Sequence, residues 1–92
     1  MLAYPSVDTH SYPKVTLNGT YYPVLRKQYE EALSGVEESI KRLEAVELHQ
    51  RDYRSQVEFT QAVNERCDAL AKLAEVQRYL NFNLEMLYTQ RA

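Results

Sequence analysis

From Val36 to Ala92 the chain has neither glycine nor proline, and its apolar residues recur at steps of three and four. That spacing gathers them on one side of an α-helix, a stripe that needs another surface to cover it. The five helix-breaking residues, Pro5, Pro13, Gly19, Pro23 and Gly35, all fall within the first 35 positions. The pattern predicts an all-α fold, a long antiparallel helical hairpin of coiled-coil type over residues 25–92. An extended Tyr/Pro-rich arm over residues 1–24, containing a small β-hairpin, precedes it.

The first helix should start just after Pro23, since proline is favoured at a helix start. Leu25, Tyr29, Leu33, Val36, Ile40 and Leu43 form one narrow seam. Glu37–Lys41, Glu38–Arg42 and Glu47–Arg51 lie four apart with the acid first, the favourable order for ion pairs on a solvent face. Gly35 interrupts this helix, and Ser34-Gly35-Val36-Glu37 matches a capping box, so a kink or a restart is expected there. Beyond Leu43 the seam positions are taken by Glu47, Gln50 and Arg54. Ser55-Gln56-Val57-Glu58 offers a second capping box, and a turn is predicted near residues 49–55. Because that stretch has no Gly or Pro, the alternative is one unbroken helix from residue 36 to about 90, about 80 Å long.

The second helix carries the stronger seam: Phe59, Val63, Leu70, Leu73, Leu80, Leu84 and Leu87, with Cys67 and Ala74 on its flank. Arg66 and Gln77 fall inside this stripe. Either they set register and oligomer number from within a seam, or they snorkel outward from a loosely packed edge. Near the carboxyl end Val76, Tyr79, Phe82 and Met86 lie off the main stripe, so residues 76–88 are apolar on nearly every side. A helix of that kind needs partners on every side. The first helix can cover one, and the arm or a second subunit must cover the rest. The expected protein interface is therefore Leu73, Val76, Tyr79, Leu80, Phe82, Leu84, Met86 and Leu87, with Tyr4, Tyr12 and Tyr22 of the arm.

In the arm, Asn18-Gly19 separates two short β-prone runs and suits a type I′ turn. It predicts a hairpin pairing Val15–Leu17 with Thr20–Tyr22, bounded by Pro13 and Pro23. The arm also repeats a Tyr-Pro-x-aliphatic unit: Tyr4-Pro5-Ser6-Val7, Tyr12-Pro13-Lys14-Val15 and Tyr22-Pro23-Val24-Leu25. Proline should hold each copy extended, with Tyr and the aliphatic residue as two anchors that cost little entropy to dock. The third copy is similar to the Tyr-Pro-x-Leu short motif by which some viral proteins engage host sorting machinery. The plainer reading makes the tyrosines amphipathic anchors that tie the arm to its own helices or to a neighbouring subunit.

Composition narrows the function. The 92 residues carry 11 Lys and Arg against 13 Asp and Glu, a net charge of -2, with no basic segment. That balance disfavours nucleic-acid binding, which draws on a basic excess. The lone Cys67 excludes an internal disulfide and fits a reducing compartment. Met1 to His10 has neither the basic nor the apolar region of a secretory leader. The longest apolar-rich run, Tyr79 to Tyr88, is too short for a membrane span. A cytoplasmic protein is expected, without membrane attachment. With His10 and His49 as the only histidines, and no glycine-rich loop or paired cysteines, no metal, cofactor or catalytic residue is indicated. The reading is a non-enzymatic protein–protein interaction module, a homo-oligomer with a dimer favoured. It would self-associate through its carboxyl-terminal helix and act as a structural, adaptor or inhibitory component. Arms that reach to neighbours are also a feature of viral and phage structural proteins. Two alternatives stand: a small nucleic-acid-associated regulator, and a ligand-binding or accessory enzyme subunit with a pocket lined by Tyr21, Tyr22, Tyr79 and Phe82.

Overall fold

The computed structural model describes residues 11–16 and 19–90. Two helices dominate: α1, Tyr22–Glu44, and α2, Gln56–Thr89. They run antiparallel. Tyr88 near the end of α2 bonds Glu30 near the start of α1, Gln77 bonds Glu37, and Arg66 reaches the carbonyl of Val46 just past α1. The chain therefore folds back, and the single-rod alternative is excluded. The molecule measures 59 × 23 × 17 Å, with a radius of gyration of 18.0 Å. A compact chain of this length would have roughly 12 Å. No helix among the described residues is long and apolar enough to cross a membrane.

Helix α1 begins one residue before Pro23, which sits in its first turn, where a missing N–H costs nothing. Tyr21 accepts from the backbone N–H groups of Val24 and Leu25, both at 3.0 Å. All six expected seam residues of α1 are half-buried, and no residue of this helix is fully buried. The helix continues through Gly35, so the expected restart does not occur. Gly35 has no positive φ, and the Ser39 hydroxyl donates 3.0 Å to its carbonyl. The seam on either side of Gly35, Leu33 and Val36, packs toward α2 and outweighs one weak helix former.

The connection starts earlier than the predicted 49–55. Helix α1 ends at Glu44, with Lys41 and Arg42 in its last turn, where cations suit the helix dipole. After Leu43 the next seam position is Glu47, so further helix would bury nothing. Residues 45–55 instead cross over with one 3-10 turn at Gln50–Asp52. The start of α2 is as expected: the Ser55 hydroxyl accepts the Glu58 N–H at 3.1 Å. The return bond differs slightly, Glu58 Oε1 accepting the N–H of Arg54 at 3.2 Å. The first bond satisfies a donor that the helix itself leaves orphaned, and the second ties the preceding residue to the first turn.

The small β-hairpin of the arm is not formed: the described residues contain no strand. Leu17 and Asn18 lie outside them, Gly19 lacks the positive φ that a type I′ turn demands, and Tyr22 belongs to α1. Two strands alone are marginal in water. Val15 instead donates its N–H to Gln90 of α2, and Gly19 N–H closes a turn onto the Thr16 carbonyl at 3.3 Å. The third Tyr-Pro repeat, Tyr22 to Leu25, is helical rather than extended.

Buried residues concentrate at one end. Leu80, Asn83, Leu84 and Leu87 are the buried set of α2, and Leu87 is 0% exposed. They lie three and four apart on one face of α2, in the turns where Phe82 and Gln90 meet the arm. Asn83 is 1% exposed, and its Nδ2 donates 2.9 Å to the Tyr79 carbonyl. That bond offsets much of the cost of burying an amide.

Two substitutions test this account. A methyl group at Gly35 would meet nothing within 4 Å, so Gly35→Ala should stabilise the fold by about 0.5–1 kcal/mol. Ser55→Ala should cost about 1 kcal/mol through loss of the cap. Urea titration would measure both, and a Gly35→Ala chain no more stable than the parent would contradict the continuous helix.

Candidate interaction site at the open end of the hairpin

The last turns of α2 meet two surfaces. On one flank lies the arm. Tyr12 stands edge-on to Phe82, ring centroids 5.8 Å apart and planes at 84°. Gln90, the cap of α2, reads the arm backbone with both ends of its amide. Oε1 accepts the Val15 N–H at 2.8 Å, and Nε2 donates to the Pro13 carbonyl at 2.8 Å. The same Nε2 donates 3.0 Å to the Met86 carbonyl, which holds the amide in place. One side chain thus supplies the acceptor and donor that a neighbouring strand would supply. Lys14 folds over Tyr12, its Nζ 3.5 Å from the ring centroid, and donates 2.9 Å to the Tyr12 carbonyl.

On the other flank, α1 presents Tyr22, Arg26 and Glu30, four residues apart on one face. The Tyr88 hydroxyl donates to Glu30 Oε2 at 2.7 Å, and Arg26 Nε stands 3.7 Å from the same oxygen. Arg26 also lies 5.9 Å from the Tyr22 ring centroid. The Tyr22 hydroxyl is buried without a hydrogen-bond partner. Such a group costs roughly 1–3 kcal/mol. The bond to Glu30 raises the Tyr88 pKa above that of a free phenol, with burial and the Glu30 charge adding to it and Arg26 opposing. Tyr29 is raised as well, first by burial and then by Tyr79, to which it is hydrogen-bonded.

The expected interface residues divide accordingly. Leu80, Leu84 and Leu87 are covered within the chain, at 7%, 5% and 0% exposure. Leu73, Val76, Tyr79, Phe82 and Met86 are half-buried and keep part of their surface open. Tyr12 and Tyr22 are half-buried on opposite flanks of α2, and Tyr4 lies outside the described residues. Tyr21 is 73% exposed, Tyr22 lies by Arg26, Tyr79 bonds Tyr29 and Phe82 meets Tyr12. Sequence reasoning missed Gln90, Asn83, Tyr88, Arg26 and Glu30. Asn83 was legible in principle, since it lies three residues after Leu80 and four before Leu87. Nothing in the sequence singles out Gln90.

Arg66 and Gln77 both make ties between elements. Arg66 Nη1 donates to the Val46 carbonyl, and Gln77 Nε2 donates to Glu37 Oε2 at 3.2 Å. Of the acid–base pairs expected along the first helix, Glu38–Arg42 forms at 2.6 Å, while Glu37 accepts from Gln77 and Glu47 meets His49 at 3.0 Å. Among the described residues no group of His, Cys, Asp or Glu side chains could hold a metal ion. No family model matches this chain, and no curated protein or solved structure matches it either.

The raised phenols set a pH dependence. Tyr88 and Tyr29 bind their protons more tightly in the fold than in the unfolded chain. Their stabilisation is therefore complete below the ordinary phenol pKa of about 10 and is lost as pH rises through the higher folded values. Tyr88→Phe should be less stable than the parent at pH about 8, with the gap shrinking above pH about 10. Urea titrations at the two pH values would show this, and a constant gap would remove the Tyr88–Glu30 bond as its cause.

Proposed function

We propose that this chain is a non-enzymatic protein–protein interaction module that self-associates through α2 and serves as a structural, adaptor or inhibitory component. The observation that carries the reading is the small extent of internal cover. Among the described residues only Leu80, Leu84 and Leu87 form a buried apolar core. Leu25, Tyr29, Leu33, Val36, Ile40 and Leu43 of α1 are half-open, as are Phe59, Val63, Leu70, Leu73 and Val76 of α2. Two helices can cover each seam from one side only. The chain exposes 7027 Å², against roughly 5,500 Å² for a compact monomer of its mass. The excess, roughly 1,500 Å² on one chain, is about twice the ~800 Å² that each partner buries in an ordinary specific interface.

A second hairpin laid against the middle of the first would close both seams in a four-helix arrangement. Leu73, Val76 and Tyr79 belong to that contact. Leu80, Leu84 and Leu87 serve inside each protomer. Cys67 is exposed and unpaired, which suits a reducing compartment such as the cytoplasm.

Sedimentation equilibrium from micromolar to near-millimolar concentration tests the proposal, with the melting temperature followed over the same range. The expected result is a mass near twice 10.8 kDa and a melting point that climbs with concentration. A protein that stays at 10.8 kDa throughout, with a fixed melting point, would sink it.

A further inference from the structure

Among the described residues, the arm meets α2 and its cap through backbone and the Tyr12 ring. Gln90 addresses the Pro13 carbonyl and the Val15 N–H, and Phe82 meets the Tyr12 ring. The contacts of Lys14 are made to Tyr12 itself and not to α2. Val15 is 38% exposed, so its side chain adds little to the choice. Any Tyr-Pro-x-Val segment held extended presents the same ring, the same carbonyl and the same N–H. Tyr4-Pro5-Ser6-Val7 repeats that sequence pattern. Tyr22-Pro23-Val24-Leu25 does not present these groups, because the N–H groups of Val24 and Leu25 already bond Tyr21 in the first turn of α1.

We propose that Phe82 and Gln90, at the carboxyl end of α2, form a recognition site for extended Tyr-Pro segments, read through the tyrosine ring and the backbone that follows it. Tyr12–Val15 occupies it in the described fold, and Tyr4–Val7 of the same chain is its exchange partner. Proline fixes φ in both segments, so little freedom is lost on docking. Exchange lengthens the tether to Tyr21 from six residues, counted from Val15, to fourteen, counted from Val7. Closure cost grows only with the logarithm of length, which lowers the relative occupancy about three- to four-fold. The site therefore has two competing occupants on one chain. This goes beyond self-association, and the two are tested by different readouts: mass for one, arm release for the other.

Trypsin reads arm release directly. Lys14 is the first Lys or Arg in the chain and the next is Arg26. Cutting after Lys14 requires its segment to leave α2. In the full-length protein, Tyr4→Ala should slow this cut several-fold by removing the competitor, and Gln90→Ala should speed it several-fold. A peptide spanning Leu2 to Thr9 has no tryptic site. At several millimolar, roughly the effective concentration of a tethered segment, it should speed the cut, and its Tyr4→Ala analogue should not. An unchanged rate with Tyr4→Ala, with Gln90→Ala or with the peptide overturns the proposal, as does equal acceleration by the analogue. A cut that quickens with protein concentration would place the exchange between copies and overturn the same-chain assignment.

Discussion

Burial in this molecule is limited by how little two helices can shield of each other. Where only α1 and α2 meet, each seam residue keeps an open side, because one cylinder shields another along a single line. Over the last turns of α2, where Phe82 and Gln90 also meet the arm, Leu80, Leu84 and Leu87 are buried, at 7%, 5% and 0% exposure. The difference is one of geometry. Leucines are also present in the middle of α2, at positions 70 and 73, and they stay half-exposed. The elongated shape and the uneven core follow from that constraint.

Polar side chains then fix how the pieces lie. Arg66, Gln77, Tyr88 and Gln90 each tie α2 to another part of the chain, at Val46, Glu37, Glu30 and Pro13 with Val15. Apolar seams are tolerant of sliding by a turn. A set of hydrogen bonds spaced along one helix is not, because slipping would strand each partner at once. Asn83, buried among leucines, adds a further demand that its amide meet the Tyr79 carbonyl. Specific register therefore comes from polar residues set in or beside the greasy stripe.

Features governed by neighbours in sequence were legible. The six-residue seam of α1 and the Ser55 cap of α2 depend on spacing within one or two turns, and both stand in the fold. Features governed by distant partners were not. Asn18-Gly19 promised a turn, yet Val15 found its acceptor on Gln90, 75 residues away, and no strand pair formed among the described residues. Gly35 promised a break, yet flanking Leu33 and Val36 held the helix together. At the candidate site the tyrosines and Phe82 were visible as residue types. Which ring meets which, and the part played by Gln90, required the tertiary arrangement.

The helices are also unequal, 34 residues in α2 against 23 in α1, a mismatch of roughly 16 Å at 1.5 Å per residue. The turns of α2 ahead of Arg66 run past the end of α1, and there Tyr53 of the connection stands against Phe59 at 5.8 Å. Stiffness should therefore fall along α2 from its carboxyl end to its amino end, as in a tapered beam clamped at one side. Amide hydrogen exchange would trace that gradient, slow around Leu87 and fast before Val63.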